Sequence, residues 1–222
     1  MDVVLILLML ILSIFLLYVS QYLFEKNGTI YIYIIYNIVS FLLSFKVLDV
    51  FKININANII ISSLFTSLTY LIIEKTNIKE YKNLIKKIFF INIAISIIML
   101  IMTTYIGTVN DMNSVNMKNV FFNNYKLLIS YPIATLINQL IILLIYNNIS
   151  DITNNTNIKI ILTNLTSLMI ETIIFCIFGY LFEIKIVSIL ILIVSNYLFK
   201  VLIALIYTPF ITYLIKTKKV NL

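Results

Sequence analysis

IKIILTNLTSLMIETIIFCIFGYLF (residues 158–182) and IVSILILIVSNYLFKVLIALIYTPFITYLI (residues 186–215) are consecutive apolar runs of 25 and 30 residues, with Glu171 and Lys200 near their middles. A helix needs about 20 apolar residues to cross a bilayer, so both runs are long enough. A charge at bilayer depth costs roughly 2.5–3.5 kcal/mol on insertion scales, and such residues normally face a partner or a polar pathway. Opposite charges in neighbouring spans therefore predict a polar site inside a membrane helix bundle.

The rest of the chain has the same character. Its 222 residues are 62% hydrophobic and 11% charged, with a mean hydropathy of +1.07. A soluble domain of this size would need far more polar surface. The fold class expected is an all-α, polytopic membrane helix bundle forming one integral domain over residues 1–222. The first run, 3–24, lacks a basic start and a small-residue cleavage site and reads as a retained span rather than a signal peptide. Cys176 is the one cysteine, so no disulfide framework exists, and the absence of His removes the commonest general base and metal ligand. Arg is also absent, while Ile, Asn, Lys and Tyr abound, the codon bias of a low-GC bacterial genome. An isolated Asn or Tyr consequently carries little weight, and the Asn-x-Ser/Thr sequons at Asn27, Asn148, Asn154 and Asn164 receive no functional reading.

Seven spans are predicted: 3–24, 30–51, 57–73, 88–105, 127–149, 158–182 and 186–215. Lys26-Asn27-Gly28, Asn54-Ile55-Asn56, the polar stretch 107–124 and the Asn/Thr-rich stretch 151–157 separate them. The net charge of +7 is concentrated. Lys75, Lys79, Lys82, Lys86 and Lys87 crowd the third connection, and Lys216, Lys218 and Lys219 crowd the tail. This is the positive-inside pattern of membrane topology rather than a nucleic-acid footprint. Placing both clusters in the cytoplasm puts the C-terminus inside and the N-terminus outside. The last run then crosses once, as a long helix kinked or tilted at Pro209.

Helical spacing gathers the polar residues of several spans on single faces. Asn164, Ser167, Glu171 and Phe175 share one face; Asn196 or Tyr197, Lys200, Ala204, Tyr207 and Thr208 share another. Residues 57–73 and the boundary beyond them supply Ser63, Thr66 or Ser67, Tyr70 and Glu74. Residues 127–149 supply Thr135, Asn138, Gln139 and Tyr146. Lipid cannot satisfy such groups, so these faces should turn inward. The candidate substrate-binding residues are Glu171 and Lys200, with Asn164, Asn196 and Gln139 as hydrogen-bond partners and Phe175 or Tyr197 as stacking faces. With Gly only at 28, 107 and 179, no phosphate-binding Gly-rich loop is possible, and metal-ligand spacing and His-based catalytic arrangements are absent. Nothing in the residues asks for catalysis, a cofactor or a metal.

The block FKININANIIISSLFTSLTYLIIEKTNIKEYKNLIKKIFF (51–90) resembles the queuosine precursor transporters, also described as the vitamin uptake transporter family. LTSLMIETIIFCIFGYLF (165–182) and SNYLFKVLIALIYTPFITYLI (195–215) do so as well. YPIATLINQLIILLIY (131–146) fits between them. The resemblance spans roughly residues 30–216, the transporter core, and 3–24 resembles the extra N-terminal span of some bacterial members. It implies an integral inner-membrane carrier of 7-deazaguanine bases such as 7-cyano-7-deazaguanine. It also places Glu74 on the acid ending an Asp-x-x-x-Glu element, making Glu74 a further candidate substrate-binding residue. Glu171 falls on the Asp before Thr-x-x-Phe (Thr172, Phe175), and Lys200 on the Lys of the last helix, ahead of Thr208-Pro209-Phe210. The chain is a divergent member by this resemblance. Tyr70, Tyr146 and Tyr207 stand where acids are expected, Ile73 where Asn is usual, Leu168 where Gln is usual, and an Arg expected near Ser130 is absent.

The function expected is uptake of a queuosine precursor or a related flat heterocycle. The alternatives from other classes are a substrate-binding membrane component served by a separate energising complex, and a non-transporting structural subunit. The partners expected are a purine-like small molecule and the lipid bilayer, with no nucleic acid and self-association left open.

Overall fold

Gly28 sets how the chain begins to fold. In the computed structural model, which describes residues 2–50, 53–104, 115–116, 118–122, 124–149 and 155–218, helix α1 (Asp2–Leu43) reverses direction at Glu25. Glu25 has φ 49° and ψ −124°, a region that non-glycine residues rarely enter. The arms on either side, Val4–Glu25 and Asn27–Leu43, pack antiparallel. The Ser20 hydroxyl donates to the Gly28 carbonyl at 2.8 Å, and the Tyr36 hydroxyl donates to the Ser13 carbonyl further along. A Cβ on Gly28 would lie 2.0 Å from the Ser20 carbonyl oxygen, which is backbone and cannot step aside. Gly28→Ala is expected to pry the arms apart and lower stability by about 1–3 kcal/mol, the cost of overpacking, read as a fall in thermal midpoint in detergent.

Beyond α1 the chain departs from the sequence expectation. The predicted span 30–51 ends as helix at Leu43, and strands β1 (Val47–Val50) and β2 (Ile53–Asn56) form an antiparallel hairpin. Non-helical backbone at membrane depth is tolerated only where protein covers it. Here Val50 and Ile55 are buried, the Ala57 N–H donates to the Lys46 carbonyl, and Asn54 and Asn56 are bonded to the last helix.

The remaining helices are α2 (Ile59–Lys75), α3 (Ile78–Thr104), α4 (Tyr125–Ile149), α5 (Thr156–Tyr180) and α6 (Ile186–Lys218). Among the described residues, five helical segments are individually long and apolar enough to span a membrane: Val4–Glu25, α3, α5, and segments of α4 and α6. The second arm of α1 and α2 are shorter, and α2 is about 25 Å long at 1.5 Å per residue. It runs through the interior of the bundle, and every residue from Ile59 to Ile73 is buried. Its small hydroxyl residues let neighbours approach closely and bond back to their own helix, Ser63 to the Ile59 carbonyl and Ser67 to the Ser63 carbonyl. The architecture is a helical membrane bundle with a small two-stranded insert.

Two prolines sit inside helices. Pro132 removes the N–H that would bond the Leu128 carbonyl, and the Ser96 hydroxyl of α3 donates to that carbonyl instead, at 2.7 Å. Pro209 lies within α6, which continues as one helix to Lys218 as the sequence predicted.

Contacts fix which ends lie together. Tyr146 near the end of α4 bonds Glu74 at the end of α2, and Thr212 near the end of α6 bonds Asn157 at the start of α5. The start of α3 and the end of α6, which carry the two lysine clusters, therefore share one end of the bundle. The hairpin, the start of α4 and the end of α5 lie at the other, where Lys126 pairs with Glu183 at 3.2 Å and Tyr180 bonds Asn56. The lysines of the first cluster are not in a loop as predicted. Thr76 and Asn77 alone separate α2 from α3, and Lys79 to Lys87 ride the first turns of α3. Lys52, Lys219, most of 107–124 and residues 151–154 lie outside the described residues.

Candidate functional site

Glu171 and Lys200 meet at the middle of the bundle. Lys200 Nζ donates to Glu171 Oε1 at 3.1 Å, and each residue is 3% exposed. Glu171 lies fifteen residues into the 25-residue α5 and Lys200 fourteen into the 33-residue α6, so the pair sits well away from either end. The second carboxylate oxygen accepts from Asn138 Nδ2 of α4 at 3.1 Å, and that same amide nitrogen donates to Thr66 Oγ1 of α2 at 2.9 Å. Four helices thus contribute to one polar node. A buried pair needs good geometry and further hydrogen bonds to offset desolvation, and this one has both.

The other residues singled out in the sequence are distributed around it. Asn164 lies two turns before Glu171 on α5 and donates to Ser67 Oγ at 2.9 Å. With Leu168, Ala204 and Thr208 it also lines a narrow crevice between α5 and α6. Asn196, one turn before Lys200, uses its carbonyl oxygen to accept the Asn56 N–H at 2.8 Å, tying the hairpin to the wall of the site. Phe175, one turn after Glu171, is buried edge-on to Tyr131 and Tyr180. Tyr197 is half-buried and donates to the Leu165 carbonyl at 3.3 Å, so its hydroxyl joins α6 to α5.

Gln139 has the most unusual environment. It is 1% exposed, yet neither Oε1 nor Nε2 has a hydrogen-bond partner among the described residues, and neither does Oδ1 of the adjacent Asn138. A buried amide without partners costs about 1–3 kcal/mol. Two acceptors and one donor are left open on one turn of α4, the turn whose Asn138 binds Glu171.

Glu74 is not part of this cluster. It is exposed at the lysine-rich end, accepting from the Tyr146 hydroxyl at 3.0 Å, and with Asn77, Lys79 and Tyr146 it lines an open surface pocket. Tyr70 and Tyr146, which replace expected acids, are in edge contact with ring centroids 5.1 Å apart. The third replacement, Tyr207, shares a 2.8 Å hydrogen bond with Ser13 of the first arm of α1. The three tyrosines at positions where acids were expected are therefore partnered, two with each other and one with the N-terminal helix.

Sequence reasoning left out Asn37 and Asn92. Asn37 Nδ2 donates to Asn92 Oδ1 at 2.6 Å, Asn92 Nδ2 donates to Thr135 Oγ1 at 3.1 Å, and the Tyr131 hydroxyl donates to the Asn37 carbonyl at 3.1 Å. Both asparagines are fully buried. In an Asn-rich chain nothing marked them apart, although each stands in an otherwise apolar turn.

No curated protein and no solved structure matches the chain. The family described as "Putative vitamin uptake transporter" matches it over residues 56–214. That range runs from the last residue of the hairpin to the lysine-rich end of α6 and includes every candidate site residue. The chain belongs to this vitamin uptake transporter family.

Proposed function

We propose that the protein carries a flat, neutral heterocyclic base inward across the bacterial inner membrane, 7-cyano-7-deazaguanine or a solute of similar edge chemistry. The observation that carries this reading is the buried Glu171–Lys200 pair bound by Asn138, whose Oδ1 is open, with the unpartnered amide of Gln139 next to it in sequence on the same turn of α4. A lactam-and-amine edge presents donors and an acceptor in one plane and would complete that set. Phe175 offers an apolar wall one turn away, while Asn164 and Asn196 border the site above and below. Residues 30–216 act as the transporter core and 3–24 as an appended span. The lysine-rich end faces the cytoplasm, which puts the C-terminus inside and the N-terminus outside. Glu74 would then meet the solute on its way out.

The mechanism follows from burial. A closed ion pair must open to admit a solute, and neither charge can be left bare at this depth. Solute groups that replace Lys200 on Glu171, or Glu171 on Lys200, keep both charges partnered through the exchange. The test is uptake of tritiated 7-cyano-7-deazaguanine by the purified protein in liposomes. Saturable uptake competed by unlabelled base is expected. Binding without flux would instead assign the chain to a binding component served by a separate energising complex, and neither binding nor flux would overturn the substrate.

A further inference from the structure

The first turns of α3 carry opposite chemistries on opposite sides. Tyr81, Leu84, Ile85 and Ile88 are buried against the bundle, whereas Lys79, Lys82, Asn83, Lys86 and Lys87 are exposed. At 3.6 residues per turn the four lysines occupy an arc of roughly 140°. That arc continues along the same helix as Phe90, Ile93, Ile97 and Ile101, which are 72%, 37%, 51% and 50% exposed. Large apolar side chains bared on a membrane helix face acyl chains. The lysines thus lie on the lipid-facing side of α3, displaced towards its end, rather than on a surface turned to the aqueous phase or to another helix.

Length gives the depth. The 27 residues of α3 extend about 40 Å, against a hydrocarbon core of about 30 Å. Roughly two turns project beyond the core, which places Lys79 and Lys82 among the headgroups, and the long stems of Lys86 and Lys87 reach up to the same level. The acids near them are Glu80, exposed in the first turn of α3, and Glu74 at the end of α2. Asn77 Oδ1 accepts the Glu80 N–H at 2.8 Å and fixes the corner from which the lysine face departs.

We infer that the lysine face at the start of α3 binds anionic lipid headgroups. The bound lipid holds the α2–α3 corner, which also forms part of the pocket lined by Glu74, Lys79 and Tyr146. This inference is independent of the solute, so it can fail while the transport reading stands, and the reverse.

The test uses the full-length protein in a neutral detergent, with thermal midpoints measured against dioleoylphosphatidylglycerol, dioleoylphosphatidylcholine and soluble glycerol phosphate. Phosphatidylglycerol is expected to raise the midpoint, and the other two are not. In K79Q/K82Q/K86Q/K87Q at least two thirds of that rise should disappear, whereas K46Q/K185Q, altered at the opposite end, should keep it. If the quadruple variant does not fold, K79Q/K82Q decides, with about half the rise lost. A full rise in the lysine variants, an equal loss in K46Q/K185Q, or the same rise with glycerol phosphate would overturn the site.

Discussion

Lys200→Met is expected to destabilise the protein by about 3–5 kcal/mol, the cost of leaving a buried carboxylate without its partner, and to abolish uptake. The double variant Glu171→Leu/Lys200→Met is expected to recover most of the lost stability, because an apolar pair in place of a buried ion pair is neutral or better. Uptake should remain absent. Asn138 would still donate to Thr66 in that variant, so its amide nitrogen is not stranded. Denaturation in mild detergent gives the stabilities, and proteoliposome uptake gives the activity. A double variant as unstable as Lys200→Met would mean that the charges act separately. A double variant that transports would remove the pair from the solute path.

Gln139→Leu is expected to move the two readouts apart in the other direction. Its amide has no partner among the described residues, so replacement by an apolar side chain loses no hydrogen bond and relieves a desolvation cost of about 1–3 kcal/mol. Stability should stay level or rise. If the amide completes the solute's edge, affinity should fall at least tenfold, since one hydrogen bond to a buried group is worth about 1.4 kcal/mol or more. Asn138→Leu is the contrast. Its nitrogen serves both Glu171 and Thr66, so that variant should lose stability and affinity together. A fall in stability for Gln139→Leu would show a structural role, and an unchanged affinity would remove Gln139 from the site.

The meeting of Glu171 and Lys200 was legible because helical periodicity and the cost of intramembrane charge point the same way. The common end for the two lysine clusters was legible for a similar reason, since parity of crossings leaves few choices. The hairpin was not. Residues 47–56 mix Asp49 and Lys52 with β-branched residues, and the apolar run reaching Phe51 conceals the strand that starts at Val47. Only tertiary cover, through Asn196 and Ser195, permits extended backbone there. The lysines assigned to a loop turned out helical because Tyr81, Leu84, Ile85 and Ile88 supply an apolar stripe that the charges had masked. Glu74 shares a helical face with Thr66 or Ser67 and Tyr70, yet it sits at the end of α2, beyond reach of the central pair. Spacing along a face says nothing about depth.

The most direct measurement is ligand-induced thermal stabilisation of the detergent-purified protein by 7-cyano-7-deazaguanine, run beside Glu171→Gln. A ligand that binds only the folded form raises its stability once its concentration exceeds the dissociation constant. A concentration-dependent rise in the wild type that vanishes in Glu171→Gln is the predicted result. A rise of equal size in both proteins would place the solute elsewhere and contradict the mid-bundle site.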